Sequence, residues 1–314
     1  MTNEALEKRA RELGFDRVWA LRPIYAPRRR VNRLNANVAD DPEALAPGTQ
    51  TVILLLKGYA PYREAAENGR GAMISAYYAA SNQAYAAAKV LARELREEGW
   101  HTLSGAQIAI KPMMAQYGLG LEGYNTLIAV DGLGSRFHAQ VILTDAPFAR
   151  EPLPEVMCTV DERCRGCRAC ARVCPVGAIS DTGVDIEKCL RARSEGEFIP
   201  PELRPLYENR LLGCEICQNA CLRNACETRE MPADVSESLE LGRLLRGDLG
   251  ALADEIGRNY ARKTRIRVKA AMLAGNLRRA DCMGELKELL RSDSERESEM
   301  AAWAIRQIEG KETT

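Results

Sequence analysis

The sequence predicts an α/β amino-terminal domain over residues 1–150, a small cysteine-rich insert over 151–232 and an α-helical tail over 233–314. Three observations carry this. A β-branched, apolar run at Thr51–Lys57 sits among helical stretches, eight of the eleven cysteines crowd between Cys164 and Cys221, and apolar and Ala positions recur at helical spacing after Ser236.

The elements follow in order. Asn3 is positioned to cap a helix running to about Leu13, where Gly14 stops it. Asp16–Leu21 reads as a short strand and Thr51–Lys57 as a buried one. Met73–Glu98 is a long Ala- and Tyr-rich helix closed by Gly99, and Lys111–Tyr117 a shorter one closed by Gly118. Strand signals at Thr126–Val130 and Phe137–Thr144 flank the turn residues Asp131, Gly132, Gly134 and Ser135. Pro147, Pro152 and Pro154 mark a boundary near residue 150. In the tail, Val268–Leu277, Met283–Leu290 and Met300–Ile308 read as one or two paired-helix repeats.

Composition narrows the class. With 46% hydrophobic and 28% charged residues the chain reads as globular, and no apolar run approaches the ~20 residues of a membrane span. The amino terminus enters a charged helix with no signal-peptide pattern, so a cytoplasmic setting without a membrane partner is expected. Basic and acidic residues balance at 44 each, so only local charge is informative. Arg22, Arg28, Arg29, Arg30 and Arg33 form one basic cluster, and Arg258–Arg279 forms another without an acidic residue inside it. Each reads either as a solvated face or as a phosphate-contacting surface.

A reducing compartment keeps thiols free, so tight cysteine spacing there points to metal or redox chemistry rather than disulfides. Cys164-x-x-Cys167-x-x-Cys170-x-x-x-Cys174-Pro175 has the spacing of a bacterial ferredoxin run, whose fourth cysteine serves a neighbouring cluster. One such run therefore requires a second set, and Cys189 with Cys214-x-x-Cys217-x-x-x-Cys221 supplies it. The cross-over rule assigns Cys164, Cys167, Cys170 and Cys221 to one [4Fe–4S] cluster and Cys174, Cys189, Cys214 and Cys217 to the other. A pair of zinc sites, each held by four thiolates, is the rival, but zinc knuckles seldom use three cysteines at successive two-residue gaps before Cys-Pro. Cys158, Cys226 and Cys282 are left over; Cys282 reads as core packing, while Cys158 and Cys226 read as packing residues or reserve ligands. Two clusters form a path for single electrons. The most site-like stretch outside them is Tyr117–Thr126, whose Gly118, Gly120 and Gly123 permit close backbone approach to a bound group or simply form a turn.

The order of these motifs resembles the epoxyqueuosine reductase family and its double-cluster paralogs. The likeness is carried by Leu13-Gly14-Phe15-Asp16, Leu45-Ala46-Pro47-Gly48, Gly118-Leu119-Gly120 with Asn125-Thr126-Leu127-Ile128, Gly134-Ser135, Leu143-Thr144-Asp145, both cysteine runs, and Ala301-Ala302-Trp303-Ala304-Ile305. It implies a nitroreductase-like first domain, a ferredoxin-like double-cluster insert and a HEAT-like tail. It also implies a base-off cobalamin near Gly118, Gly120, Gly123, Asn125 and Thr126, a low-potential electron donor of flavodoxin or ferredoxin type, and tRNA contact through Arg258–Arg279. In the implied reaction, Co(I) attacks an epoxide on a tRNA base while an acid protonates the leaving oxygen.

The departures fall at the substrate. The family's Val-Asp-Ser/Thr acid segment here reads Leu103-Ser104-Gly105-Ala106, and a serine hydroxyl is too weak an acid to replace a carboxyl. The family's Gly-Leu-Gly-Trp-Ile-Gly-Lys-Asn is Gly118-Leu119-Gly120-Leu121-Glu122-Gly123-Tyr124-Asn125, and its Arg-Asp-Tyr-His falls on Ser81-Asn82-Gln83-Ala84. No catalytic residue is assigned; Glu122 and Tyr124 are either replacement proton donors or packing residues. The expected function is a cobalamin-dependent iron–sulfur reductase acting on a substrate other than epoxyqueuosine-tRNA. The alternatives are an electron-delivery protein without its own turnover and a true epoxyqueuosine reductase.

Overall fold

The computed structural model describes residues 1–63, 71–149, 161–194, 198–224 and 227–310. The boundary near residue 150, Cys158 and Cys226 lie outside these. The chain forms two compact units: Met1–Tyr59, Ala80–Val184 and Ile216–Cys226 make the first, and Ala60–Ala79, Asp185–Glu215 and Glu227–Thr314 the second. Neither follows the chain order of the segments 1–150, 151–232 and 233–314, since each draws on three stretches.

The first unit is built on a four-stranded antiparallel sheet ordered Arg17–Leu21, Thr51–Gly58, Phe137–Thr144, Thr102–Ser104. The two central strands pair from Thr51 opposite Thr144 to Gly58 opposite Phe137. Alternation along Thr51–Gly58 explains why its residues are buried on both sides. Ile53 and Leu55 face one core with Leu6, Ala10, Ala88, Leu91 and Leu95 of helices Asn3–Glu12 and Tyr77–Glu97. Val52, Leu54 and Leu56 face the other with Met113, Met114 and Tyr117, from helix Ile110–Gln116 and its end.

Several local expectations shift. Thr2, not Asn3, caps the first helix, its Oγ1 accepting from the Ala5 N–H at 3.2 Å. The long helix begins at Tyr77; Met73–Ile74 is instead a strand pairing in parallel with Arg210–Leu212. The strand expected at Thr126–Val130 is reduced to Ile128–Ala129, because Thr126 takes a φ of +61° in the turn that pairs it with Leu121–Glu122. The edge strand Thr102–Ser104, which carries Ser104 opposite Ile142, was not read from the sequence.

The second unit is mainly helical. Helix Lys263–Asn276 packs against Leu241–Arg246 and Glu295–Glu309, and Met283–Leu289 packs on the last of these. The crossing is close at Gly275, where an added Cβ would stand 2.7 Å from Trp303 and 2.9 Å from the Ala304 backbone. The tail is therefore helical as expected. Cys282 is buried in it, its thiol pushed up to about 11 by burial, in keeping with a packing role. Among the described residues no helix is long and apolar enough to cross a membrane.

Candidate iron–sulfur site

Two short helices place the first cysteines. Asp161 caps Glu162–Cys167 by accepting from the Arg163 N–H at 2.8 Å, presenting Cys164 and Cys167 one turn apart. Arg168, at φ +49°, ends that helix and starts Ala169–Arg172, which carries Cys170. Cys174 closes a turn in which its Sγ accepts from the Ala178 N–H at 3.3 Å.

Cys221 arrives from the other end of the chain and is held by the Gly134–Arg136 turn. Asn224 Oδ1 accepts from the Ser135 N–H at 2.7 Å, Gln218 donates to the Ser135 carbonyl at 3.0 Å, and Arg136 donates to Asn219 Oδ1 at 2.7 Å. Gly134, at φ +60°, lets the two segments meet: a Cβ there would lie 2.3 Å from Asn224 Oδ1 and 2.6 Å from the Arg223 carbonyl. The Gly134-Ser135 pair is thus a docking point for the Cys217–Cys221 stretch, a role the sequence left unread.

Cys164, Cys170 and Cys221 come together here. Burial pushes the Cys170 thiol up, and the neighbouring Cys221 and Cys164 push it further. Burial disfavours charge on Arg223, yet its bond to Cys164 and the nearby Asp161 and Cys221 outweigh this and hold its pKa above the ordinary value. Arg223 and Asp161 are ion-paired, with Asp161 turned inward. Cys167 is the exposed member. The fixed cation offsets negative charge where thiolates gather, as a cluster anion requires.

Of the second set, Cys174 and Cys217 lie in the first unit, while Cys189 and Cys214 lie in the second. In that second unit Tyr207 donates to the Leu190 carbonyl at 2.9 Å. Its phenol is pushed well up by burial and then by Cys214 and Cys189, placing both thiols around one ring. Among the described residues no three His, Cys, Asp or Glu side chains converge as they would on a single ion. A cube takes one thiolate on each of four irons, so its ligands stand farther apart than those of one tetrahedral zinc.

The Gly118–Thr126 loop is filled largely by the protein itself. A Cβ at Gly120 would meet Ile128 at 2.6 Å and the Ala129 carbonyl at 2.8 Å, and one at Gly123 would meet Asn125 Oδ1 at 2.9 Å. Asn125 is buried, with its Oδ1 accepting from Leu127 N, and the Thr126 carbonyl accepts from Lys111 Nζ at 3.0 Å. Gly118 alone of the three glycines is exposed. These residues do not form an open cradle for a corrin ring. Glu122 is mostly buried and paired with Arg29 at 3.2 Å. Tyr124 is buried, donates to Asp181 at 2.9 Å and lies under Arg168, so its phenol is already engaged.

The Arg258–Arg279 segment also divides. Arg265 and Lys269 both donate to the Ser194 carbonyl at 2.9 Å, Arg267 pairs with Glu297 at 2.9 Å, and Arg279 pairs with Asp281 at 2.6 Å. Arg258, Arg262, Lys263 and Arg278 remain exposed. In the first basic cluster, Arg28 is paired with Asp40 at 2.6 Å.

Residues 163–224 match the 4Fe–4S double cluster binding domain family. Epoxyqueuosine reductase of Escherichia coli strain K12 is 34% identical over 200 residues, 57% of this chain and 50% of that protein. The enzyme of Bacillus subtilis strain 168 is 24% identical over 213 residues, 64% of this chain and 54% of its own. The chain spans about half the length of the curated relatives it matches. Among solved structures, epoxyqueuosine reductase from Streptococcus thermophilus superposes with a TM-score of 0.75 at 18% identity, covering 99% of this chain and 91% of that one. A B. subtilis structure, whose catalytic aspartate loop is swung out of its active site, gives 0.73 at 20% identity over 97% of this chain and 90% of its own. At these identities the structural likeness is one of fold. The double-cluster domain, the sequence relatives and the fold together support the resemblance to the epoxyqueuosine reductase family.

Proposed function

We propose that this chain is an iron–sulfur reductase that moves single electrons through two [4Fe–4S] clusters to a substrate other than epoxyqueuosine-bearing tRNA. Cys164, Cys167, Cys170 and Cys221 hold the first cluster, and Cys174, Cys189, Cys214 and Cys217 the second, as their spacing assigns them. The observation that carries this reading is the gathering of Cys164, Cys170 and Cys221, with Arg223 beside Cys164 and Cys221, from segments more than fifty residues apart in sequence. The chemistry belongs in the cytoplasm, where thiols stay reduced.

Family resemblance implies cobalamin as the electron acceptor. The loop Gly118, Gly120, Gly123, Asn125 and Thr126, proposed from sequence to border it, offers only its outer edge at Gly118, because the space at Gly120 and Gly123 is occupied. The altered substrate is supported by Ser104, which occupies the family's acid position and lies in an edge strand, and by the engagement of Glu122 and Tyr124 elsewhere. The same loss of an acid favours a second reading, an electron-delivery protein without turnover of its own. A tRNA partner, present in a solved epoxyqueuosine reductase complex with a modified tRNA stem loop, would here rely on Arg258, Arg262, Lys263 and Arg278.

The test uses anaerobically reconstituted full-length protein with a low-potential reductant. Titration with cobalamin is read by the corrinoid spectrum, and incubation with epoxyqueuosine-bearing tRNA is read for queuosine. The proposal expects no queuosine, and places any cobalamin that is taken up outside the filled Gly118–Thr126 loop. Queuosine formation restores the family's own reaction, and absence of uptake favours the electron-delivery reading.

A further inference from the structure

Cys167, the exposed member of the first set, stands within a ring of arginines. Arg163, Arg165, Arg168 and Arg172 are all exposed and flank it on the two short helices Glu162–Cys167 and Ala169–Arg172. Arg172 donates to the Cys167 carbonyl at 2.6 Å and Arg168 to the Arg165 carbonyl at 2.9 Å, which fixes two of the guanidinium groups at this face.

The acidic residues nearby do not cancel this charge. Asp161 is only 8% exposed, turned in toward Arg163 and Arg223. Asp161 pairs with Arg163 at 3.3 Å and Asp181 with Arg168 at 2.9 Å, leaving Glu162 against Arg165 and Arg172. Apolar surface adjoins the ring. Val173 is 42% exposed, and Leu222, the residue after the ligand Cys221, is 92% exposed. A cationic rim beside a few exposed aliphatic side chains, centred on a cluster ligand at the surface, matches what a brief redox encounter needs. Charge steers the approach, a small apolar contact holds it, and the electron has a short path in.

We propose that this face docks a small acidic electron-carrier protein of the flavodoxin class. In the encounter the carrier's reduced flavin gives up one electron, and the first cluster accepts it, passing from its 2+ to its 1+ state with no bond made or broken. A nucleic acid fits the face less well. The stretch 161–173 has no aromatic side chain on which a base could stack, and exposed Leu222 and Val173 offer nothing to phosphate.

This inference rests on the two-cluster reading, and one experiment separates the two. Reconstituted full-length protein is mixed in stopped flow with photoreduced flavodoxin at low and high salt, and separately with dithionite, following bleaching of the cluster absorbance. The variants are R163E/R165E, which leaves every ligand in place, and L222S. The expected result is a wild-type rate with flavodoxin that falls steeply with salt. In R163E/R165E that rate drops about tenfold or more with a flattened salt dependence, in L222S it drops less, and dithionite reduction stays unchanged in both. Iron content alike in all three proteins confirms that the variants fold and load. Protein that never acquires cluster absorbance removes the two-cluster reading. Clusters that form and bleach with dithionite, yet show no flavodoxin reduction or a rate indifferent to the charge reversal, overturn the docking site alone. A tRNA stem loop whose binding is lost in R163E/R165E while flavodoxin reduction is unchanged overturns it in favour of nucleic acid.

Discussion

Gly134 joins the cysteine segments at the scale of single atoms. Its left-handed backbone and the contacts an added Cβ would make with Asn224 and the Arg223 carbonyl leave no room for a side chain. The G134A variant is expected to lose about 2 kcal/mol of stability. Because the displaced segment carries Cys221, its iron content on reconstitution should fall from about eight toward about four per chain; full iron loading in G134A would contradict this role. His138 gives a second residue-level prediction. Burial pushes its pKa down to about 4, and the Gln140 amide faces its Nε2 at 2.9 Å, a contact suited to a neutral ring. Unfolding restores an ordinary value near ~6.5, so the unfolded chain binds the proton more tightly. The contribution is complete above about pH 6.5 and is lost as pH falls toward about 4, by up to about 3 kcal/mol. Urea melts of H138Q should show a shallower loss of stability than wild type across that window. The double-cluster domain was legible in the sequence, because the spacing of its cysteines is a local property of the chain. The role of Gly134 was not, since its partners lie ninety residues away.

At the scale of elements, what could be read depended on where each element finds its partner. Phe137–Thr144 and Thr51–Gly58 carry their own apolar patterns and agree with expectation almost to the residue. Met73–Ile74 becomes a strand only through Arg210–Leu212, far downstream, so a helical extension was the natural local reading. Thr102–Ser104 is too short to show a period. The tail helices show the same dependence on partners, because basic residues that looked like one continuous patch are used internally. Glu297, only 2% exposed, is held by Arg267 and by the Ser292 hydroxyl at 2.6 Å. Removing the guanidinium strands a buried carboxylate, so R267A should cost about 3 kcal/mol or more, while R267M/E297L should recover much of that loss. Thermal melts of the two variants decide it, and equal destabilisation in both would show that the pair matters through packing alone.

At the scale of the whole molecule, each compact unit takes part of the cysteine segment, which no boundary drawn along the sequence anticipates. The sequence relatives, the double-cluster domain and the fold agree with one another, whereas the residues at Ser104 and at Gly118–Thr126 depart from the resemblance. Ser104 was legible as a departure because a carboxyl is chemically irreplaceable there; the filling of the glycine loop was visible only in three dimensions. The central claim is that eight cysteines hold two cubes. Its most direct test is the iron and acid-labile sulfide content of full-length protein prepared without oxygen, with electron paramagnetic resonance after reduction. The account predicts about eight iron and about eight sulfide per chain, a broad absorbance near ~400 nm and signals from reduced [4Fe–4S] clusters. Two zinc ions per chain, with neither sulfide nor that absorbance, would contradict it.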